Sequence, residues 1–292
     1  MKHIPIGLRI LSGGLALAAA GFLWAGSAEL ETARKYYNCT KFGESLKVLD
    51  AIADKDEATF ELIGRNYFMQ RDYKHAAEAF ESALRLQPAD SMAALWLGRA
   101  YGRRAETSSP FTAPAYASRA RQNFERAVQL DEHNLEALSD LFEYYLDAPG
   151  FLGGGIDKAE ASIARIAAVD EAEAHWAQAR LAEKRKQLDA AEKHFRQSVD
   201  LAPHRIGPSL ELARFLARQG RFPEAEQSFE RAERIAPGNP RILYARADVY
   251  IKYNRNLRVA RQLLERYMSM SLTPDDPPRA DAAKLLKQVQ GS

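Results

Sequence analysis

Apolar and small residues recur along this chain at three- and four-residue spacing, in paired runs separated by short polar breaks. From Glu57 to Asp90 the clearest pair is visible: Phe60, Ile63, Gly64 and Tyr67 share one face of a predicted helix, and Tyr73, Ala76, Phe80 and Ala83 share one face of a second. Pro88 ends it. The same pair returns between Pro203 and Pro237, 34 residues apart, with Leu212, Ala213 and Leu216 before Gly220, Phe222, Ala225, Phe229 and Ala232. A third copy carries Ala179, Ala182, Leu188, Ala191, Phe195 and Ser198, and a looser one Ala247, Tyr250, Ala260, Leu264 and Tyr267. The first unit is degenerate, with Ala33, Tyr36, Phe42, Ser45, Leu49 and Ile52.

Two copies are stretched. Nine residues separate the last aromatic or apolar position of one helix from the first small position of the next in the regular units, as from Tyr67 to Ala76 and from Leu216 to Ala225. The same step takes nineteen residues from Tyr101 to Ala120 and fifteen from Tyr144 to Ala159. The surplus predicts inserted loops near Arg104 to Pro114 and Leu146 to Gly155, the second rich in glycine. Thr273-Pro274-Asp275-Asp276-Pro277-Pro278 then breaks the chain, and a last helix from about Arg279 to Gln290 turns Ala282, Leu285, Leu286 and Val289 inward as a cap.

This pattern resembles the tetratricopeptide repeat, a unit of about 34 residues with Gly and Tyr in its first helix and Ala, Phe and Ala in its second. The stretches Trp96 to Gly102, Ala148 to Gly155 and Thr273 to Pro278 are similar to those of exported bacterial members of the family. The resemblance implies an all-α, right-handed α-solenoid of about seven helix-turn-helix repeats over residues 29–272, with a C-terminal capping helix within 273–292. It also implies a scaffold that binds a protein or peptide in its concave groove, without chemistry of its own. In register, the groove positions are Arg65, Arg99, Arg103, Arg180, Arg214 and Arg218, with Trp176 and Tyr244; repeat four contributes Leu138, Phe142, Leu146 and neighbouring Tyr145. Such a groove is basic and aromatic, suited to a segment bearing carboxylates. The competing reading is local pairing, as between Glu61 and Arg65. The Lys-and-Asn carboxylate clamp of chaperone-tail-binding members is not matched here.

Composition adds an address. Lys2 and Arg9 precede an uncharged run from Ile10 to Ala28, and Gly26-Ser27-Ala28 offers a cleavage site, so residues 1–28 read as an export signal. An uncleaved inner-membrane anchor is the alternative. The expected location is periplasmic or secreted, with membrane contact only if the segment is retained. Its loss takes 41 basic and 39 acidic residues to 39 of each. A neutral chain does not gather nucleic acid by its overall field, and none is expected as partner. Single Cys39 excludes an internal disulfide.

No catalytic signature appears, and neither cofactor nor metal is expected. His175 and His194 fall in different helices of one repeat, but the six histidines show no metal-ligand spacing. Gly150 and Gly155 have the spacing of a phosphate loop, yet Ile156 and Asp157 stand where Lys and Ser or Thr belong, and Asp157 is placed to cap the following helix itself. An enzyme would need a site that no motif announces. The glycine stretch instead predicts a specialised turn whose Phe151 and Leu152 either fold back onto repeat four or dock a partner, as in an assembly factor of a cell-envelope complex.

Overall fold

A computed structural model describes residues 28–289, so the export-signal reading of residues 1–28 lies almost wholly outside the described residues. Among them are fifteen α-helices, one 3-10 turn and no strand. Helix α1 covers 28–38. It pairs in sequence with α2 (Phe42–Asp50), and six further hairpins follow: α3 (Glu57–Met69) with α4 (Tyr73–Leu86), α5 (Ser91–Thr107) with α6 (Ala113–Leu130), α7 (Leu135–Asp147) with α8 (Ile156–Val169), α9 (Glu171–Lys184) with α10 (Leu188–Leu201), α11 (Ile206–Arg218) with α12 (Phe222–Ile235), and α13 (Pro240–Lys252) with α14 (Leu257–Ser269). The cap is α15 (Arg279–Gln288). No described helix is long and apolar enough to cross a membrane.

The hairpins of repeats two and three close by the same small-to-large contact. The Phe80 and Phe124 rings lie directly over Gly64 and Gly98, where a β-carbon would come within 2.6 Å of each ring. Glycine therefore sets how closely the paired helices approach. Starts are fixed locally: Asp56, Asp72, Asp90, Asn134, Asp170 and Asn239 each accept a backbone N–H in the first turn of the helix that follows. The turns inside repeats one, two, five, six and seven share one residue in the left-handed region, respectively Thr40, Arg71, Lys186, Gly220 and Asn254. In each, the next amide closes back onto the first helix, as Asp72 N–H does onto the Tyr67 carbonyl.

Repeats three and four lack that turn, for different reasons. The surplus in repeat three was expected as a loop from Arg104 to Pro114, but α5 and α6 run to 17 and 18 residues and leave only 108–112 between them. Arg104 secures the extension by donating to the Tyr116 hydroxyl at 2.7 Å. In repeat four the surplus remains a connection, 148–155, containing the 3-10 turn Gly150–Leu152. Gly153 there takes a φ of 87°, and a β-carbon on Gly154 would meet the Ala148 carbonyl oxygen at 1.9 Å. Asp157 does not cap α8; Gly155 stands at that position with no side-chain cap. In repeat one Tyr37, not Tyr36, is buried.

Candidate functional site

The first helices of successive repeats lie side by side, and their shared face lines the inner surface of the curve. Residues of repeats two, three, five, six and seven meet around one cavity of about 730 Å³, among them Phe68, Tyr73, Trp176, Leu210, Arg214 and Arg241. That volume is within the range of ligand pockets, although the cavity opens broadly to solvent.

Of the arginines expected in the groove, Arg103 and Arg214 line this cavity and Arg180 and Arg218 line a separate one, and the surface is not the uncompensated basic wall that register suggested. Each one meets a carboxylate. Arg99 pairs with Asp140 at 2.6 Å and Glu136 at 2.9 Å, Arg180 with Glu143 at 2.8 Å, and Arg218 with Glu183 at 2.8 Å. Arg65, Arg103 and Arg214 pair within their own helices, with Glu61, Glu106 and Glu211. The inner face is thus a ladder of alternating charge whose longer rungs join neighbouring repeats. Burial raises the Asp140 and Glu143 carboxyls above the ordinary carboxylate range, while Arg99 and Arg180 oppose that shift.

Aromatic rings lie beneath the arginines. The Arg65 and Arg99 guanidinium carbons stand 5.0 and 4.9 Å from the Trp96 ring centre, and that of Arg180 stands 5.8 Å from Trp176. Trp176 lines the cavity as expected. Tyr244 is not among the residues that line it; its ring stands 5.6 Å from that of Tyr267, and burial raises its phenol pKa.

Repeat four departs most from expectation. Phe142 is 0% exposed and packs edge-on to Trp176 at 5.9 Å, so it belongs to the core. Leu138 and Leu146 are also buried. Tyr145 turns to the other side of α7: its hydroxyl donates to Glu125 at 2.9 Å, and Lys158 lies over its ring. The polar inner positions of α7 are Glu136, Asp140, Glu143 and Asp147. Their spacing is a signal the sequence did contain, hidden because the aromatic positions were aligned first.

The docking-loop residues separate. Phe151 is 82% exposed, whereas Leu152 is half-buried and its carbonyl accepts from the Tyr144 hydroxyl at 2.9 Å. A second tip was missed: Phe111, in the turn of repeat three, is 95% exposed. His175 and His194, on the two helices of repeat five, face one another with their Nδ1 atoms 3.1 Å apart. Among the described residues the one group of three side chains able to ligate a metal is Glu57, Glu61 and Asp90. Two of these are committed elsewhere, Glu61 to Arg65 and Asp90 to the α5 cap. Glu57 is pushed up to about 7 by burial and by its hydrogen bond to Asp90.

An array of helical hairpins with a ligand-sized cavity on its inner face defines the chain as an α-solenoid scaffold. The chain is a tetratricopeptide repeat protein: one model of that repeat matches residues 181–249, and another matches 62–105 and 153–206. Among solved structures, it is similar to a tetratricopeptide repeat protein from Parabacteroides merdae, with a TM-score of 0.58 at 16% identity, covering 92% of this chain and 100% of that one. It is also similar to a thermophilic tetratricopeptide repeat protein from Thermus thermophilus, with a TM-score of 0.54 at 18% identity, covering 66% of this chain and 99% of that one. At such identities the likeness concerns fold alone. No curated protein matches the chain.

Proposed function

We propose that this protein binds an extended polypeptide segment along its inner face, and that it does so outside the cytoplasm. The observation that carries the reading is the ladder of Arg99, Arg180 and Arg218 with carboxylates of neighbouring repeats, set above Trp96 and Trp176. It offers donors, acceptors and apolar rings at fixed positions. An incoming carboxylate can replace Asp140 or Glu143 on its arginine, and burial already weakens the hold of those two on their charge. Apolar side chains of the same segment have the Trp176 ring, which lines the cavity, to cover.

A photo-crosslinking amino acid at Arg103 or Lys184, both on the inner face, is expected to capture a polypeptide in the cell envelope of the source organism. The same group at Lys193 or Glu230, on second helices, is expected to capture none. Equal capture from both faces would refute the groove. The address rests on the charged, then apolar, then small-residue order of residues 1–28. Sequencing the mature N-terminus is its test, with Glu29 expected first. Exposed Phe151 favours a second reading, in which the turn of repeat four docks an assembly partner.

A further inference from the structure

The segment that follows α14 does more than stop the array. Pro274 to Pro278 and Asp281 form one wall of the cavity, opposite Phe68, Tyr73 and Trp176. Asp281, in the first turn of α15, pairs with Arg71 in the turn between α3 and α4, 210 residues away in sequence. This ion pair joins the two ends of the curve.

Charge in the cavity is complementary between the repeats and this strap. The repeat walls contribute Arg71, Arg103, Arg214 and Arg241 against Glu173 and Glu211, and the strap brings Asp275, Asp276 and Asp281. Burial raises the Glu173 carboxyl pKa, and the Ser139 hydroxyl, which donates to it at 3.1 Å, opposes that shift. Arg241 has no ion pair among the described residues, and neither has exposed Asp275. Three prolines in the segment remove backbone donors, and a turn over residues 273–276, closed by the Asp276 N–H on the Thr273 carbonyl at 3.1 Å, sets Pro274 and Asp275 at the cavity wall. The strap is also tied at its base: the Tyr267 hydroxyl donates to the Pro277 carbonyl, and Arg279 donates to the carbonyls of Met268 and Met270. Its shape is therefore set by its own repeat and by buried Asp276, whose carboxylate accepts from the Thr273 N–H and hydroxyl, while Asp281 reaches Arg71 of repeat two.

We propose that the strap is an internal ligand, occupying the place of an acidic, proline-containing segment of a partner polypeptide. Such a segment binds by exchange, with Arg71 passing from Asp281 to a partner carboxylate. This rests on the inner-face reading above and narrows it to one ligand chemistry at one end of the groove.

The probe is a fluorescent synthetic peptide of the chain's own residues 271–282, titrated into the full-length protein. Two variants release the strap without cutting the cap: Asp281→Asn, which removes the latch, and Arg279→Gln, which removes the ties to the Met268 and Met270 carbonyls. Peptide binding is expected to tighten about twofold to fivefold in D281N over the unaltered chain, as a solvent-screened ion pair allows, and also to tighten in R279Q. It is expected to disappear in a D281N chain that also carries Arg71→Gln, and for a peptide whose three aspartates are asparagine. Unchanged affinity in both releasing variants, or equal binding of the asparagine peptide, would overturn the proposal. Failure here with successful inner-face crosslinking removes only the internal-ligand inference; failure of both removes the groove reading as well.

Discussion

A methyl group added at Gly64 would stand 2.6 Å from the Phe80 ring, which is fully buried and has nowhere to retreat. Helix propensity favours alanine over glycine by roughly 1 kcal/mol, but overpacking a closed core costs roughly 1–3 kcal/mol. The second effect wins, so Gly64→Ala is expected to destabilise the protein by about 1–2 kcal/mol in urea unfolding. Gly102, in α5, has nothing within 4 Å of its would-be β-carbon. There propensity acts alone, and Gly102→Ala is expected to stabilise by about 0.5–1 kcal/mol; identical behaviour of the two variants would remove the packing account. Gly64 and Phe80 are legible in the sequence as members of the recurring pattern, but that the ring lies over the glycine shows only in the packed hairpin. The histidine pair was not legible, since contact between His175 and His194 depends on where two helices face. Burial and then His175 hold the His194 pKa below its ordinary value, so the folded state binds fewer protons than the unfolded one. This contribution is present above the ordinary histidine pKa of about 6.5 and is lost as pH falls through the lower folded value. Melting curves from pH 7.5 to 5 are expected to fall less steeply for His194→Gln than for the unaltered chain, with Lys193 and Gln197 unchanged beside it.

The elements themselves follow closely from periodicity, and the departures share a cause. Ser108, Ser109 and Pro110 predict a loop that takes in Arg104, Ala105, Glu106 and Thr107, yet nothing in those four residues opposes helix and α5 continues through them. Breakers mark where a helix must have ended, and say less about where it first could end. In repeat four the breakers start earlier, at Pro149 and Gly150, and α7 stops at Asp147. Misplacing Phe142 and Tyr145 in the groove has a related origin: one register was carried through all repeats, whereas the inner face of α7 is occupied by its acids. Within the 148–155 connection, exposed Phe151 and half-buried Leu152 make different contributions. Phe151→Ser is expected to leave unfolding free energy within about 0.5 kcal/mol of the unaltered chain, as surface changes do, while Leu152→Ser lowers it by about 1–2 kcal/mol. A large loss from Phe151→Ser would show that its ring packs in solution, and would end its candidacy as a docking tip.

At the scale of the whole molecule, seven hairpins and a cap were legible because each repeat carries its own pattern, and hydrophobic clusters follow one another from α1 to α15 in chain order. The meeting of the two ends was not. It depends on the small rotation between repeats summed over the array, a quantity no local motif records, and it sets Arg71 against Asp281. In a stack coupled only through nearest neighbours, a change in the cap frays the last repeat and leaves the second untouched. The latch predicts a different pattern. The Arg71 and Asp72 amides, which close the α3–α4 turn onto the Phe68 and Tyr67 carbonyls, are expected to exchange hydrogen faster in Asp281→Ala, while amides in the middle of α9 and α10 keep their rates. The partners are 40% and 27% exposed, so solvent screens the pair and about 1 kcal/mol is its ceiling. Acceleration of about twofold to fivefold is the corresponding expectation, and it should vanish at high salt, where the ion pair is screened in both chains. Unaltered exchange at Arg71 and Asp72 at low salt would mean that the array ends move independently and that the strap does not close the groove.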